Sequence, residues 1–423
     1  MYKRFGKSTK SRSLTFLVAA LLAMFVALPL AACNNTANNA GSSAAKQEAT
    51  SAEATAEETT TEEATTEEAT TEESATDEAN GEVDIATTFP SWNADSKSLH
   101  DLIDFVKATT TEGGPDYVAP EDRIATFDMD GTIICEKAPT YIDWCMLNNR
   151  VLDNPSYNEP EYTPSEEAIQ MCQEIRDTIN AGEKPSEEME NNKASLITSE
   201  FAGMTPEEFH AFVKSFAASV DTVGFETMTY AESFYKPMLE VFAYLKANDF
   251  DVWMVSACER EVVRALTEDL DIPADHIIGT DVGYYATNQG EEAYDKYTQE
   301  KGEEILLGNP LGQETAKTGK VIAIMKEIGK RPILAGGNSS GDHAMLNYAV
   351  SNPEHKGMGL LVIADDDVRE HGDPEATAEL FDKCAEQGWT SFSMANDWAT
   401  IYGEGVVAVA YPGVGAEELA LAA

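Results

Sequence analysis

Four short runs, "RIATFD" (Arg123 to Asp128), "DVWMVS" (Asp251 to Ser256), "PILAG" (Pro332 to Gly336) and "GLLVIA" (Gly359 to Ala364), are apolar at nearly every position, with helical text between them. A strand with one face in water alternates apolar and polar residues. A strand apolar throughout is covered on both faces, as in a parallel sheet flanked by helices. From about Ile85 to Tyr402 the chain therefore reads as an α/β protein with a Rossmann-like parallel sheet. "SKSLHDLIDFVKAT" adds a helix with Leu99, Leu102, Ile103 and Val106 on one face.

Between the first two runs lies a long helix-rich stretch. "TPEEFHAFVKSFAAS" opens with Thr205 as N-cap, Pro206 at the first helical position and Glu208 closing a capping box. "SEEAIQMCQEIRDTI" is a second amphipathic stretch. This insert, residues 138–236, is expected to form a helical cap over the carboxyl edge of the sheet, with residues 85–137 and 237–402 as the core. "GTDVGYYATNQGEEAYDKYTQEKGEEILLGNP" (Gly279 to Pro310) reads as a hairpin excursion or long loop without assignable chemistry. The tail, residues 403–423, reads as poorly anchored.

The first 84 residues are of another kind. Residues 1–33 read as an export signal, with a basic start (Lys3, Arg4, Lys7, Lys10, Arg12), an apolar run from Leu14 to Ala32, and small residues before Cys33. The apolar run is long enough for a transmembrane anchor, which is the alternative reading. Residues 34–84 repeat a Thr-Glu-Glu-Ala-Thr theme with almost no large apolar residue. Such text cannot bury enough surface to offset the entropy of ordering, so it is expected to be a disordered, self-repelling tether.

The formal charge is −46, and the signal holds five of the 29 Lys and Arg but none of the 75 Asp and Glu. The remainder is more acidic still, which excludes nucleic acid as a general partner and opposes docking on an anionic membrane. A phosphate would be repelled too, so an anion site must create its own positive field. Besides Cys33, five cysteines remain (Cys135, Cys145, Cys172, Cys258, Cys384) with no CxxC pair, so free buried thiols are expected.

"ATFDMDGTII" places Asp128 and Asp130 two positions apart at the end of the first strand. Ligands of open α/β sheets bind beyond the carboxyl ends of the strands. A hard divalent cation between such groups would offset their repulsion. One carboxylate could then stay ionised as a nucleophile while its neighbour carries a proton. Gly131 lets the chain turn, and Thr132 offers a hydroxyl to an anionic oxygen.

These residues resemble the first motif of the haloacid dehalogenase superfamily, on its phosphoserine-phosphatase-like branch. Its second motif, a Ser or Thr ending the next strand, is matched by Ser256 in "VWMVSACER". Its fourth, an acidic cluster after a later strand, is matched by Asn338 and Asp342 in "LAGGNSSGDHAML". Its third is a helix-opening Lys, for which "AKTGKVIAIMKEIG" offers Lys317 by counting back from Gly329 and Lys320 by the Gly-Lys opening; Lys320 is taken. Likewise, Leu30-Ala31-Ala32-Cys33 resembles a bacterial lipobox, which implies lipidation of Cys33 and anchoring to the outer face of the cell membrane.

The resemblance, from about Phe89 to Trp398, implies a Mg2+-dependent phosphatase acting on a small phosphorylated metabolite. Asp128 would be the nucleophile, Asp130 the acid and base, and Ser256 and Lys320 the holders of the phosphoryl oxygens. Mg2+ would be held by Asp128, the backbone carbonyl of Asp130, Asn338 and Asp342. Two departures stand out: Asn338 replaces the usual Asp, and Glu136, beside Lys137, is one residue out of register for the branch's amine-reading Glu. Phosphoserine is therefore not implied. Rival readings are a non-catalytic binding lipoprotein, favoured by Asn338 alone, and a phosphotransferase or mutase on the same fold. "ADDDVREH" (Ala364 to His371) reads as a solvated acidic loop, His343 as a helix-start residue, and Trp92, Trp144 and Trp253 as packing.

Overall fold

The computed structural model describes residues 83–135, 141–155, 157, 162–183, 185–312 and 314–412. The expectations for Cys33, the signal, the tether and Glu136 fall outside the described residues.

The chain runs α1 (Ile85–Thr88), α2 (Lys97–Thr110), β1 (Ile124–Phe127), α3 (Ile142–Asn148), α4 (Glu166–Ala181), α5 (Glu187–Glu200), α6 (Pro206–Ser219), β2 (Phe225–Glu226), α7 (Lys236–Ala247) and β3 (Asp251–Glu259). It continues with α8 (Arg260–Thr267), β4 (Ile277–Thr280), β5 (Val282–Ala286), β6 (Ile305–Leu311), α9 (Thr318–Glu327), β7 (Leu334–Gly337), α10 (His343–Val350), β8 (Met358–Ile363), α11 (Pro374–Gln387), β9 (Thr390–Ser393) and β10 (Val407–Ala408).

Six strands form one parallel sheet in the order β4-β3-β1-β7-β8-β9. Successive strand residues point to opposite faces, so each face needs its own cover. On one face Phe127, Met254, Leu334, Leu360 and Phe392 join a core with Leu99, Leu102 and Val106 of α2 and Val241 and Leu245 of α7. On the other, Val255, Ile278 and Ala335 meet Ile324 of α9 and Met345 of α10, while Leu361 and Ile363 meet Cys384 of α11. Of these strands, β4 and β9 were not among the apolar runs. The first, at one sheet edge, has only Ile277 and Ile278 before Gly279 and Thr280, and the second, at the other edge, carries Thr390, Ser391 and Ser393.

The insert springs from the carboxyl edge of β1. Cys135 N donates to Ser233 O (2.8 Å) and Tyr235 N to Ile133 O (2.9 Å), so the segments leaving and returning lie side by side. Between them stand α3 to α6. Glu208 N donates to Thr205 Oγ1 (3.2 Å) and Thr205 N to Glu208 Oε2 (2.9 Å), the reciprocal pair of a capping box. The Tyr-rich excursion is a hairpin of β5 and β6, and it is tied to the insert: Gly203 N donates to Leu307 O and Leu307 N to Met204 O, both at 2.8 Å.

Residues 405–411 of the tail are anchored, against the expectation for that part. β10 pairs antiparallel with β2, Val407 opposite Glu226 and Ala408 opposite Phe225. Local text could not show this, because a two-residue strand owes its existence to a partner about 180 positions away in sequence, a loop closure with no local signature. The five cysteines of the folded part are buried and form no disulfide among the described residues.

Where β1 and β7 run side by side, a Cβ added at Gly336 would lie 2.4 Å from the Phe127 ring. Gly336→Ala should therefore lower stability by about 1–3 kcal/mol, read as a reduced denaturant midpoint at unchanged slope; an unchanged midpoint would show that the sheet yields there.

Candidate functional site

β1 ends at Phe127, and the ladder carries one residue further, with Asp128 N donating to Gly336 O at 3.0 Å. The chain then turns: Gly131 takes φ +68°, Ile133 N donates to Met129 O (2.9 Å) and Gly131 N to Ile134 O (2.9 Å). The positive φ is why glycine stands there. Asp128 is left buried at the sheet edge and Asp130 half-buried beyond it. The Thr132 hydroxyl is buried and has no hydrogen-bond partner among the described residues.

Lys320, in the first turn of α9, is 2% exposed. Its Nζ donates to Asp128 Oδ1 at 2.5 Å and to Asp342 Oδ1 at 2.7 Å. Burial pulls the ammonium's pKa down, but the two carboxylates outweigh it and hold the pKa well above the usual lysine range. Lys317, the alternative, is exposed, and its backbone N serves Gly341 O (3.0 Å).

Asp342 is held from both sides. While Oδ1 takes Lys320, Oδ2 accepts from Asn338 N (3.1 Å), Ser339 N (3.0 Å) and Ser339 Oγ (3.3 Å). The loop after β7 is thus wound around this carboxylate, so closely that a Cβ at Gly337 would lie 2.3 Å from Asp342 Cβ. Ser256 is fully buried, two residues past Met254, the partner of Phe127, and its Oγ accepts from Cys258 N (3.0 Å). Asp128, Ser256, Lys320 and Asp342 therefore gather at one end of the sheet, on β1, β3, α9 and the loop after β7.

The structure adds two residues that the sequence did not signal. Asp143, in the first turn of α3, pairs with Lys193 of α5 at 2.9 Å, and the Lys193 ammonium lies 5.3 Å from the centre of the Trp144 ring. The Cys258 thiol has its pKa pushed well up, by burial first and then by Asp130, Asp143 and Glu259, with Lys193 opposing. One thiol thus feels both the core's Asp130 and the insert's ion pair. Neither residue sits in a motif, and only tertiary packing brings them here.

Other singled-out residues are structural. Asp365 accepts from Ser393 Oγ (2.6 Å) and Ala395 N (3.0 Å), and Asp366 pairs with Arg369 (2.6 Å). The acidic stretch Asp365–Asp366 is therefore not the solvated loop expected: both are buried and hydrogen-bonded, because Asp365 ties the turn after β8 to β9 while Asp366 holds Arg369 within that turn. His343 opens α10 with its ring 4.9 Å from Trp389. Trp92 and Trp144 are buried, and Trp253 stacks on His276 at 4.2 Å.

The donors at this edge are oxygens: Asp128 and Asp342 share the Lys320 ammonium, and Asp130 lies two residues beyond Asp128. Carboxylate oxygens gathered in this way are the donor type that a hard divalent cation takes. Among the described residues no group of three His, Cys, Asp or Glu side chains is arranged to hold a metal. An ion here would rest on two carboxylates together with amide or backbone oxygens such as those of Asn338 and Asp130.

Comparison with known proteins gives one family model, that of the haloacid dehalogenase-like hydrolases, matching residues 125–347. No curated protein matches. Among solved structures, a conserved protein of unknown function from Anaerococcus prevotii DSM 20548 is 15% identical, covering 72% of this chain and 92% of its own, with a TM-score of 0.42. A protein of unknown function from Bordetella pertussis Tohama I is 16% identical, covering 64% and 97%, with a TM-score of 0.40. Cytosolic 5'-nucleotidase IIIB bound to cytidine is 13% identical, covering 71% and 86%, with a TM-score of 0.38.

Replacing Lys320 with Met would leave Asp128 and Asp342 buried without their shared cation. Stability at neutral pH should fall by about 3–5 kcal/mol, and by less near pH ~4, where the carboxylates can take up protons. Denaturant midpoints at the two pH values check this, and an equal loss at both would mean that charge is not what Lys320 supplies.

Proposed function

The chain belongs to the haloacid dehalogenase-like hydrolases, and on that footing we propose that it is a Mg2+-dependent phosphatase of small phosphomonoesters, working through an aspartyl phosphate. The observation that carries this reading is Asp128 at the end of β1, buried against the Lys320 ammonium at 2.5 Å, with Asp130 two residues on. An ionised, fixed carboxylate is what an attacking group must be.

In the first half-reaction an Asp128 oxygen bonds to phosphorus as the bond from phosphorus to the alcohol oxygen breaks, and Asp130 gives that oxygen its proton. In the second, Asp130 takes a proton from water as the water oxygen attacks phosphorus and frees the Asp128 carboxylate. Lys320 and the hydroxyls of Ser256 and Thr132 would hold the phosphoryl oxygens. Mg2+, held by oxygens of Asp128, Asp130, Asn338 and Asp342, would neutralise charge on the phosphoryl group. The Asp143–Lys193 pair, on the insert, would meet the departing alcohol, which would favour polar alcohols over apolar ones.

Asp128→Asn should reduce phosphate release from a generic aromatic phosphate ester by about a thousandfold or more, and removing Mg2+ from the wild type should do the same. A variant keeping more than a few per cent of activity would rule out the covalent route.

The reading also places the enzyme outside the cytoplasm, tethered by lipid on Cys33. Cys33→Ser should move the protein from the membrane to the soluble fraction or block its processing. Wild-type protein isolated unlipidated with an intact N-terminus would restore the transmembrane alternative.

A further inference from the structure

The insert meets the core at its leaving and returning segments, at the β5–β6 hairpin, where α6 packs on α8 and Lys214 pairs with Glu268, and at one further place. Past Tyr402 the chain turns away from the sheet and crosses the insert. Thr227 Oγ1 donates to Gly405 O (2.8 Å), β10 pairs with β2, and Val409 N donates to Gly224 O (2.8 Å). Tyr411 then stacks on His371 of the core at 4.5 Å and 27°, and the His371 ring meets Gly224 O at 2.6 Å.

The fit around Tyr411 is close. A Cβ at Gly182, the residue ending α4, would lie 2.7 Å from the Tyr411 ring, and one at Gly224 would lie 3.0 Å from it. One ring is thus held between a core histidine and two backbone positions of the insert. The root of this segment is fixed in the core: Lys236 N donates to Ile401 O (2.9 Å), and the Tyr402 hydroxyl donates to buried Glu370. Glu370 also accepts from the Cys135 thiol (3.4 Å), where the insert leaves the core.

Any movement of the insert about residues 133–135 and 233–235 must therefore either break the β2–β10 pairing or pull Tyr411 away from His371. We propose that residues 405–411 are a strap that restrains the insert over the Asp128 edge, so that the strap limits the size of substrate admitted. The restraint stands on the contacts alone; its effect on substrate size rests on the phosphatase reading. Exposed Val407 and the single two-residue ladder make the strap weak enough to detach without unfolding the sheet.

The test uses two variants of the full chain: one ending at Gly405, and Tyr411→Ala. Hydrogen exchange followed by mass spectrometry reads the restraint without needing turnover. Exchange in α4 and in residues 220–230 should rise about tenfold in both variants, while β1 and β7 keep their protection. In parallel, the preference in kcat/KM for a small alkyl phosphate over a phosphopeptide should narrow about fivefold.

Unchanged exchange in α4 and residues 220–230 in both variants overturns the strap. If the shortened chain loses protection throughout the sheet, Tyr411→Ala alone decides. Faster exchange with an unaltered substrate preference overturns the size limit but leaves the restraint. No phosphate release by the wild type removes the phosphatase reading, while the exchange data still decide the strap.

Discussion

The site is organised by one buried ammonium. Lys320 draws Asp128 from the end of β1 and Asp342 from the loop after β7 to a single point. Without a cation there, two buried carboxylates would repel one another and each would favour its protonated form. With it, Asp128 can remain ionised at the edge of the sheet. The cost of burying three charged groups is high, and well-packed apolar residues would often be as stable. The arrangement is understandable as a way of presenting charge rather than as a source of stability.

The same ammonium answers the problem set by net charge. A chain at −46 repels anions at long range. At short range the sign is set by the nearest groups, and salt screens the rest over about 10 Å. Lys320 lies in contact with both Asp128 and Asp342, so the field at this edge is set by a cation that the net charge alone does not reveal.

Much of this was legible in sequence because the core obeys local rules. Strands covered on both faces must be apolar throughout, and β1, β3, β7 and β8 could be read directly; β4 and β9, short or rich in Ser and Thr, could not. Asp128 stood out because an apolar run ended in paired acids. Lys320 was separable from Lys317 only by its place in the helix, since the deciding fact is burial. Asp143 and Lys193 carried no signal, being ordinary charged residues on helices, and the pair exists only because α3 packs on α5. The tail was misread for the same reason: Tyr411 is held by His371, Gly182 and Gly224, each distant in sequence.

Core and insert therefore contribute to the site with different precision. Asp128, Ser256 and Asp342 follow strands of one sheet, where position is fixed by ladder hydrogen bonds and by cores on both faces; groups so held are preorganised. Asp143 and Lys193 belong to an insert whose position depends on its two crossing segments, the hairpin contact, the packing of α6 on α8 and the tail. A change in any of these can shift the ion pair while leaving Lys320 and its two carboxylates in place. On the proposed reading, the groups that would act at phosphorus are thus held apart from the insert, where substitutions could change the substrate accepted without disturbing the ammonium on which the carboxylates depend.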